Sequence, residues 1–145
     1  MIEIETVSNS HDALIANEIF ELLKSVYGDA AASLESIAFD LATPARKIWL
    51  ARADGKLVGY LLAQTVTDER EIWQVAVSPD YRRKGIASQL LSAACDFDGT
   101  IFLDVRESNT AAIALYKKFD FVSYNERPDY YKNPREAALL MKREK

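Results

Sequence analysis

The chain has 145 residues, 49% apolar and 28% charged, a balance that fits one globular domain and excludes a disordered or fibrous chain. Its 22 acidic residues outnumber 18 basic ones, net −4, so duplex nucleic acid is not expected as a main partner. One histidine, His11, and one cysteine, Cys95, exclude a Cys/His zinc site, an internal disulfide and, without a serine motif, a Ser-His-Asp mechanism. No metal is expected. The apolar runs fall far short of the roughly 18 residues of a membrane span, and the acidic start MIEIETVS lacks a signal-peptide layout. The expectation is a soluble, cytoplasmic protein with no membrane partner.

Residues 1–8 alternate Ile2, Ile4 and Thr6 with polar neighbours, a short strand. Residues 12–26 place Ile15, Ile19, Leu22, Leu23 and Val26 at helical spacing, and residues 33–42 read as a second helix with Ser33 as N-cap. Ile48–Ala51 and Leu57–Leu62 flank Asp54-Gly55, a strong hairpin signal. After Glu71, residues 71–77 are apolar on both faces apart from Gln74, which predicts a central strand broken by Ser78-Pro79-Asp80. A helix is expected from about Lys84, with Ile86, Leu90, Leu91 and Ala94 on one face. A strand at 101–106, a helix at 110–119 and a final strand pair near 121–126 and 137–142 complete the order. Residues 1–145 thus read as a single α/β (α+β) domain with a mixed sheet.

Charge is uneven along the chain. Residues 1–72 carry 6 basic and 12 acidic side chains, whereas residues 73–145 carry 12 and 10. An anionic ligand belongs to the second part, and the acidic first part is either a solvated surface or a face toward a cationic partner.

The informative stretch is Val75-Ala76-Val77-Ser78-Pro79-Asp80-Tyr81-Arg82-Arg83-Lys84-Gly85-Ile86-Ala87: strand, turn, cationic loop, glycine, helix. Unpaired N–H groups at a helix start attract phosphate, and Arg82, Arg83 and Lys84 add full charges beside them. Gly85 permits close approach or an unusual φ, and Ala87 is small. The chemistry is that of a pyrophosphate cradle, without Walker or GxGxxG spacing. A plain basic turn starting a helix is the bland alternative.

Arg82–Ala87 resembles motif A of the GNAT acetyltransferases, [QR]xxGx[GA]. The run LDVRESNTAAIALYKKFDF, residues 103–121, looks like the second half of the same fold. Together with RPDYY and NPREAALLM it resembles the RimI-type N-acetyltransferases, which acetylate the N-terminal alanine of a small-subunit ribosomal protein. This similarity covers residues 71–142. It implies the GNAT fold, with a mostly antiparallel sheet of about seven strands and about four helices, and acetyl-CoA as cosubstrate. By that resemblance the backbone of Val75, Ala76 and Val77 would hold the pantetheine arm, with Arg82, Arg83, Lys84, Gly85, Ile86, Ala87 and Ser88 at the pyrophosphate. Asn109 would contact the CoA arm, and Tyr116 would protonate the departing thiolate.

Read from the residues alone, Asn109 is equally an N-cap and Tyr116 a core tyrosine on the face of Ala112, Ile113 and Phe119. Asp104 is less ordinary. It shares a strand face with Phe102 and Arg106, opposite Ile101, Leu103 and Val105, and Asp is depleted in mid-strand. The RimI-type family usually has Glu there as general base, so this shorter carboxylate is expected either to work through water or to form an ion pair with Arg106 or with another strand. Asp120 stands where the family usually has Gly, at a helix end that favours αL. The Arg127–Tyr131 loop, with Tyr130 and Tyr131, is expected to meet the acceptor.

The leading reading is an N-acetyltransferase acting on a ribosomal protein's N-terminal alanine, as a monomer or homodimer. The alternatives are an acetyltransferase of a small amine, such as a polyamine or amino sugar, and a non-catalytic acyl-CoA sensor.

Overall fold

The computed structural model describes residues 1–144, and its elements follow the expected order. They are β1 (Ile2–Val7), α1 (Ala13–Tyr27), α2 (Leu34–Ala42), β2 (Arg46–Ala53), β3 (Lys56–Val66), β4 (Glu69–Val77), α3 (Ile86–Ala94), β5 (Thr100–Arg106), α4 (Thr110–Lys118), β6 (Val122–Tyr131) and β7 (Glu136–Arg143). Asp54 and Gly55 both have positive φ, 50° and 85°, as a tight hairpin between β2 and β3 demands. The strands form one sheet in the order β1-β2-β3-β4-β5-β7-β6. Among the described residues only the β4–β5 pair is parallel; α3 lies in the crossover that such a pair requires.

Two clusters of buried side chains lie on opposite faces of this sheet. On one face α1 and α2 bury Ile19, Leu22, Leu23, Ile37 and Leu41 against Ile48, Leu50, Tyr60 and Leu62. On the other, α3 buries Ile86, Leu90, Leu91 and Ala94 against Ala51, Val58, Leu61, Ile72 and Leu103, with Ala112, Ile113 and Tyr116 of α4 packed alongside. Close approach of α3 depends on Gly59. A Cβ there would lie 2.9 Å from Ile86 Cγ2 and 3.1 Å from Ala51 Cβ.

Three expectations need correction. Residues 71–77 lie in the expected central strand, β4 being the fourth of seven, but its apolar faces are interrupted at Trp73, which is 43% exposed. The reason is a bulge. Leu62 pairs with Gln74 and Ala63 with Ile72, leaving Trp73 as an extra residue, so Ile72 and Val75 pack on the same face although three apart. The third helix starts at Ile86 rather than near Lys84, because Arg83 and Gly85 take positive φ, 63° and 76°. The Arg127–Tyr131 segment is not a loop. It is the end of β6, in which Pro128, Asp129 and Tyr130 bulge out between the pairs Arg127–Ala138 and Tyr131–Glu136.

Both ends of α3 are unlike those of its neighbours. Side chains cap the N-termini of α1, α2 and α4 through Asp12, Ser33 and Asn109, whereas none caps α3. Its C-terminal carbonyls are instead closed by two arginines: Arg70 Nη1 donates to Ala94 O at 2.6 Å and Arg143 Nη1 to Cys95 O at 3.1 Å. Arg70, only 5% exposed, stacks between the rings of Trp49 and Phe97 and donates from Nε to Thr65 Oγ1 at 2.9 Å, contacts that satisfy a buried cation. Gly59→Val is expected to lift α3 off β3 and to cost about 1–3 kcal/mol, measured by urea denaturation. An unshifted denaturation midpoint would show that the helix yields freely.

Candidate active site

The site begins where β4 and β5 part. They pair only from Glu69 to Ile72 against Thr100 to Leu103. Beyond that point β5 runs on with β7 as far as Arg106, while β4 continues to Val77 with β3 alone. The edge of β4 from Trp73 to Val77 therefore has no strand partner on the β5 side, and its peptide groups line an opening in the sheet. This slot is a cleft of about 500 Å³ lined by Tyr27 and Ala30 from the α1 side, Tyr116 from α4, and Ile72–Val75, Leu103 and Asp104 from the two strands. It thus opens to both faces of the sheet.

The cationic loop lies at the end of the free strand edge. Arg82, Arg83 and Lys84 are exposed, and Arg82 Nε points back to Val77 O at 3.4 Å. Gly85 provides the left-handed turn into α3, and a Cβ there would meet nothing within 4 Å, so the ground above this turn is open. The amides of Ile86, Ala87 and Ser88 begin the helix without a side-chain cap. Uncapped amides, an open glycine turn and three cations fit an anionic pyrophosphate. Ala76 and Ile86 are exceptions among the expected residues: their side chains are buried, Ala76 in the α1–α2 cluster and Ile86 beneath α3, leaving only their backbone for a ligand.

Asn109 accepts from Ala112 N at 3.2 Å and is the N-cap of α4, as read from the residues alone. Tyr116, seven residues on, is half-buried and leans on Phe121 with ring centroids 5.8 Å apart. That contact belongs to a Schellman cap in which Phe121 N donates to Tyr116 O and Asp120 N to Lys117 O, with Asp120 at φ 67°. Burial pushes the Tyr116 phenol up to about 12, and the nearby Tyr131 and Tyr27 phenols act in the same direction.

Asp104 projects to the face opposite Ile101, Leu103 and Val105, as the alternation predicts. Its expected rival role is overturned: Arg106 pairs with Glu136 at 3.2 Å and not with Asp104. Arg106 also donates to the carbonyls of Pro134 and Lys132, at 3.0 and 3.1 Å, and lies 4.4 Å over the Tyr131 ring. It thereby pins the β6–β7 turn against β5 and brings Tyr131 beside Asp104. Glu136 in turn accepts from Ser108 N at 2.6 Å, steadying the approach to α4. Hydrogen bonds from Ser108 and Arg106 hold its carboxyl below the usual range.

A second cleft of about 280 Å³ adjoins the first and is lined by Glu71, Ile72, Trp73, Asp104, Tyr130 and Tyr131. The two tyrosine rings meet edge to face with centroids 5.0 Å apart. Composition and spacing gave no sign of Glu71, Trp73, Tyr27 or Glu136 at the site. The bulge at Trp73 and the pairing of β5 with β7 bring the strand residues there, and the end of α1 brings Tyr27.

A slot through a sheet, with an anion cradle at one end of its free edge and a phenol and a carboxylate in its lining, suits transfer of a group from an extended anionic donor. The chain belongs to the acetyltransferase (GNAT) family, whose model matches residues 16–121. It is 38% identical over 95 residues to the [ribosomal protein bS18]-alanine N-acetyltransferase of Escherichia coli, a match covering 61% of this chain and 64% of that protein. It is 36% identical over 111 residues to the N-alpha-acetyltransferase RimI of Mycobacterium tuberculosis, covering 72% and 70%. An uncharacterized Mycobacterium leprae protein, 41% identical over 100 residues, is matched over only 28% of its length. The crystal structure of the Escherichia coli ribosomal-protein-S18-alanine N-acetyltransferase superposes with a TM-score of 0.86 at 26% identity, over 99% of this chain and 94% of that one. The expected GNAT fold is therefore the fold of this chain.

Because Asp120 takes an αL angle that glycine adopts without strain, Asp120→Gly is expected to stabilise the protein by about 1 kcal/mol. A rise of about 2–4 °C in Tm would report it. A lower Tm would mean that the Asp120 side chain holds the helix end itself.

Proposed function

We propose that the protein is an acetyl-CoA-dependent N-acetyltransferase whose acceptor is the α-amino group of an N-terminal alanine on a small-subunit ribosomal protein. The observation that carries this reading is the slot itself, which exposes Tyr116 from the α4 side and Asp104 from the opposite face of the sheet within one cleft. It is supported by similarity to a ribosomal-protein-alanine N-acetyltransferase, matched over 64% of its length, and to an N-alpha-acetyltransferase, matched over 70%.

Acetyl-CoA supplies the activated acetyl thioester. The uncapped amides of Ile86–Ser88 with Arg82, Arg83 and Lys84 hold its pyrophosphate, and the free edge of β4 at Val75–Val77 holds the arm that follows. Asn109, whose Oδ1 is spent on the helix cap, offers its amide nitrogen to that arm. Donor and acceptor then enter from opposite faces and meet between Tyr116 and Asp104, with Tyr130 and Tyr131 walling the acceptor side.

Proton bookkeeping suits an α-amine. Its pKa near 7.7–8 leaves a large neutral fraction at neutral pH, whereas a lysine amine near 10.4 would need a strong base. Asp104, one methylene shorter than Glu and without a salt bridge among the described residues, accepts the amine proton directly or through one water. Tyr116 has the opposite task. Its raised pKa keeps the proton on Oη at any working pH, available to a departing thiolate.

Tyr116→Phe is expected to lower kcat at least about tenfold, within the range for loss of a general acid, with a much smaller change in acetyl-CoA affinity. Thiol release and calorimetry measure the two; an unaltered kcat would remove Tyr116 from the mechanism. Since Tyr116 loses its proton only as pH approaches about 12, the wild-type rate should rise through the acceptor's pKa near 8 and show no fall by pH 10. A rate that falls between pH 9 and 10 would contradict that assignment. Thiol release with an alanine-initiated basic peptide, and none with the same peptide N-terminally blocked, tests the acceptor itself.

A further inference from the structure

We infer that Glu71 is a specificity-determining residue that reads a positively charged side chain on the second residue of the acceptor, an inference that rests on the peptide reading above. The two clefts share Ile72, Trp73 and Asp104. Tyr116 lines only the first, whereas Glu71, Tyr130 and Tyr131 line only the second. A terminal amine placed between Asp104 and Tyr116 therefore leaves the next side chain beside Glu71 and not over the reacting atoms.

The walls of the second cleft select a cation. Two carboxylates, Glu71 and Asp104, stand with the rings of Trp73, Tyr130 and Tyr131 around about 280 Å³, a volume that admits a lysine or arginine side chain. Among the described residues no arginine or lysine forms a salt bridge with either carboxylate. The cations nearby are already committed: Arg46 to Asp40 at 3.3 Å and Gln64 at 3.0 Å, Arg106 to Glu136.

Glu71 is also held in place. Trp73 Nε1 donates to Glu71 Oε1, leaving Oε2 for a partner. The Trp73 ring is in turn stacked by the Arg46 guanidinium at 4.7 Å, and Arg46 is fixed by Asp40 and Gln64. A carboxylate oriented by this chain of contacts loses little freedom on binding. Trp73 and Arg46 are positioning residues for it.

The test compares two peptides with a free N-terminal alanine that differ only at the second residue, arginine against glutamine. The wild-type protein is expected to prefer arginine by about tenfold in kcat/KM, chiefly through KM. Glu71→Gln should bring that ratio close to one, and Glu71→Lys should turn the preference toward a glutamate at the second position. Trp73→Phe, which keeps a ring but removes the Nε1 donor, should lower the ratio part of the way. Equal use of both peptides by the wild type, or a ratio unaltered in Glu71→Gln, overturns the role of Glu71 and leaves the α-amine activity standing. No turnover of either peptide overturns the activity and the inference together.

Discussion

The separation of β4 from β5 after the Ile72–Leu103 pair is the constraint on which the rest of the site depends. A parallel pair that stayed closed would bury its peptide groups in a ladder and leave a continuous wall. Here two opposing demands pull the strands apart. The bulge at Trp73 bends and re-faces β4, while β5 keeps its full antiparallel register with β7 from Ile101 to Arg106. The result is a row of unsatisfied backbone groups beside a slot, which a donor arm with amide groups of its own can satisfy.

The same logic of unsatisfied groups explains α3. Its C-terminal carbonyls are closed by Arg70 and Arg143, and its flank is locked on Gly59, yet its first amides carry no cap. A helix held firmly by one end and one face can leave the other end open without fraying. The exposed arginines and lysine of the preceding loop then add charge where the amides already point. Arg70, buried between two aromatic rings and bonded to a carbonyl, belongs to this support and not to the chemistry.

Beside Asp104 the organising residue is Arg106. It joins β5 to the β6–β7 turn through two carbonyls and Glu136, and lies over Tyr131. That spends the cation that could otherwise have neutralised Asp104 and sets an aromatic wall beside it. The bulge at Pro128–Tyr130 serves the edge strand in a second way. It breaks the run of ladder groups that a long exposed β6 would present to another chain.

Much of this was legible in the residues. Asp54-Gly55, the caps Ser33 and Asn109, the alternation around Asp104 and the strand–RRKG–helix order each follow from local stereochemistry, which a sequence carries in full. The αL angle of Asp120 was legible only through the resemblance, whose family has Gly at that helix end. Three things were not: the bulge at Trp73, the extension of β6 through Arg127–Tyr131, and the choice of Glu136 over Asp104 as partner of Arg106. Each is settled by pairing between segments far apart in the chain, where a shift of one residue exchanges the faces. Sequence by itself thus determined the order of the elements, the cationic turn that precedes α3 and the strand face on which Asp104 lies. Only the tertiary structure decided that Tyr116 and Asp104 share one slot and that Glu71, Trp73 and the paired tyrosines stand together beside it, because register between distant strands is a property of the sheet.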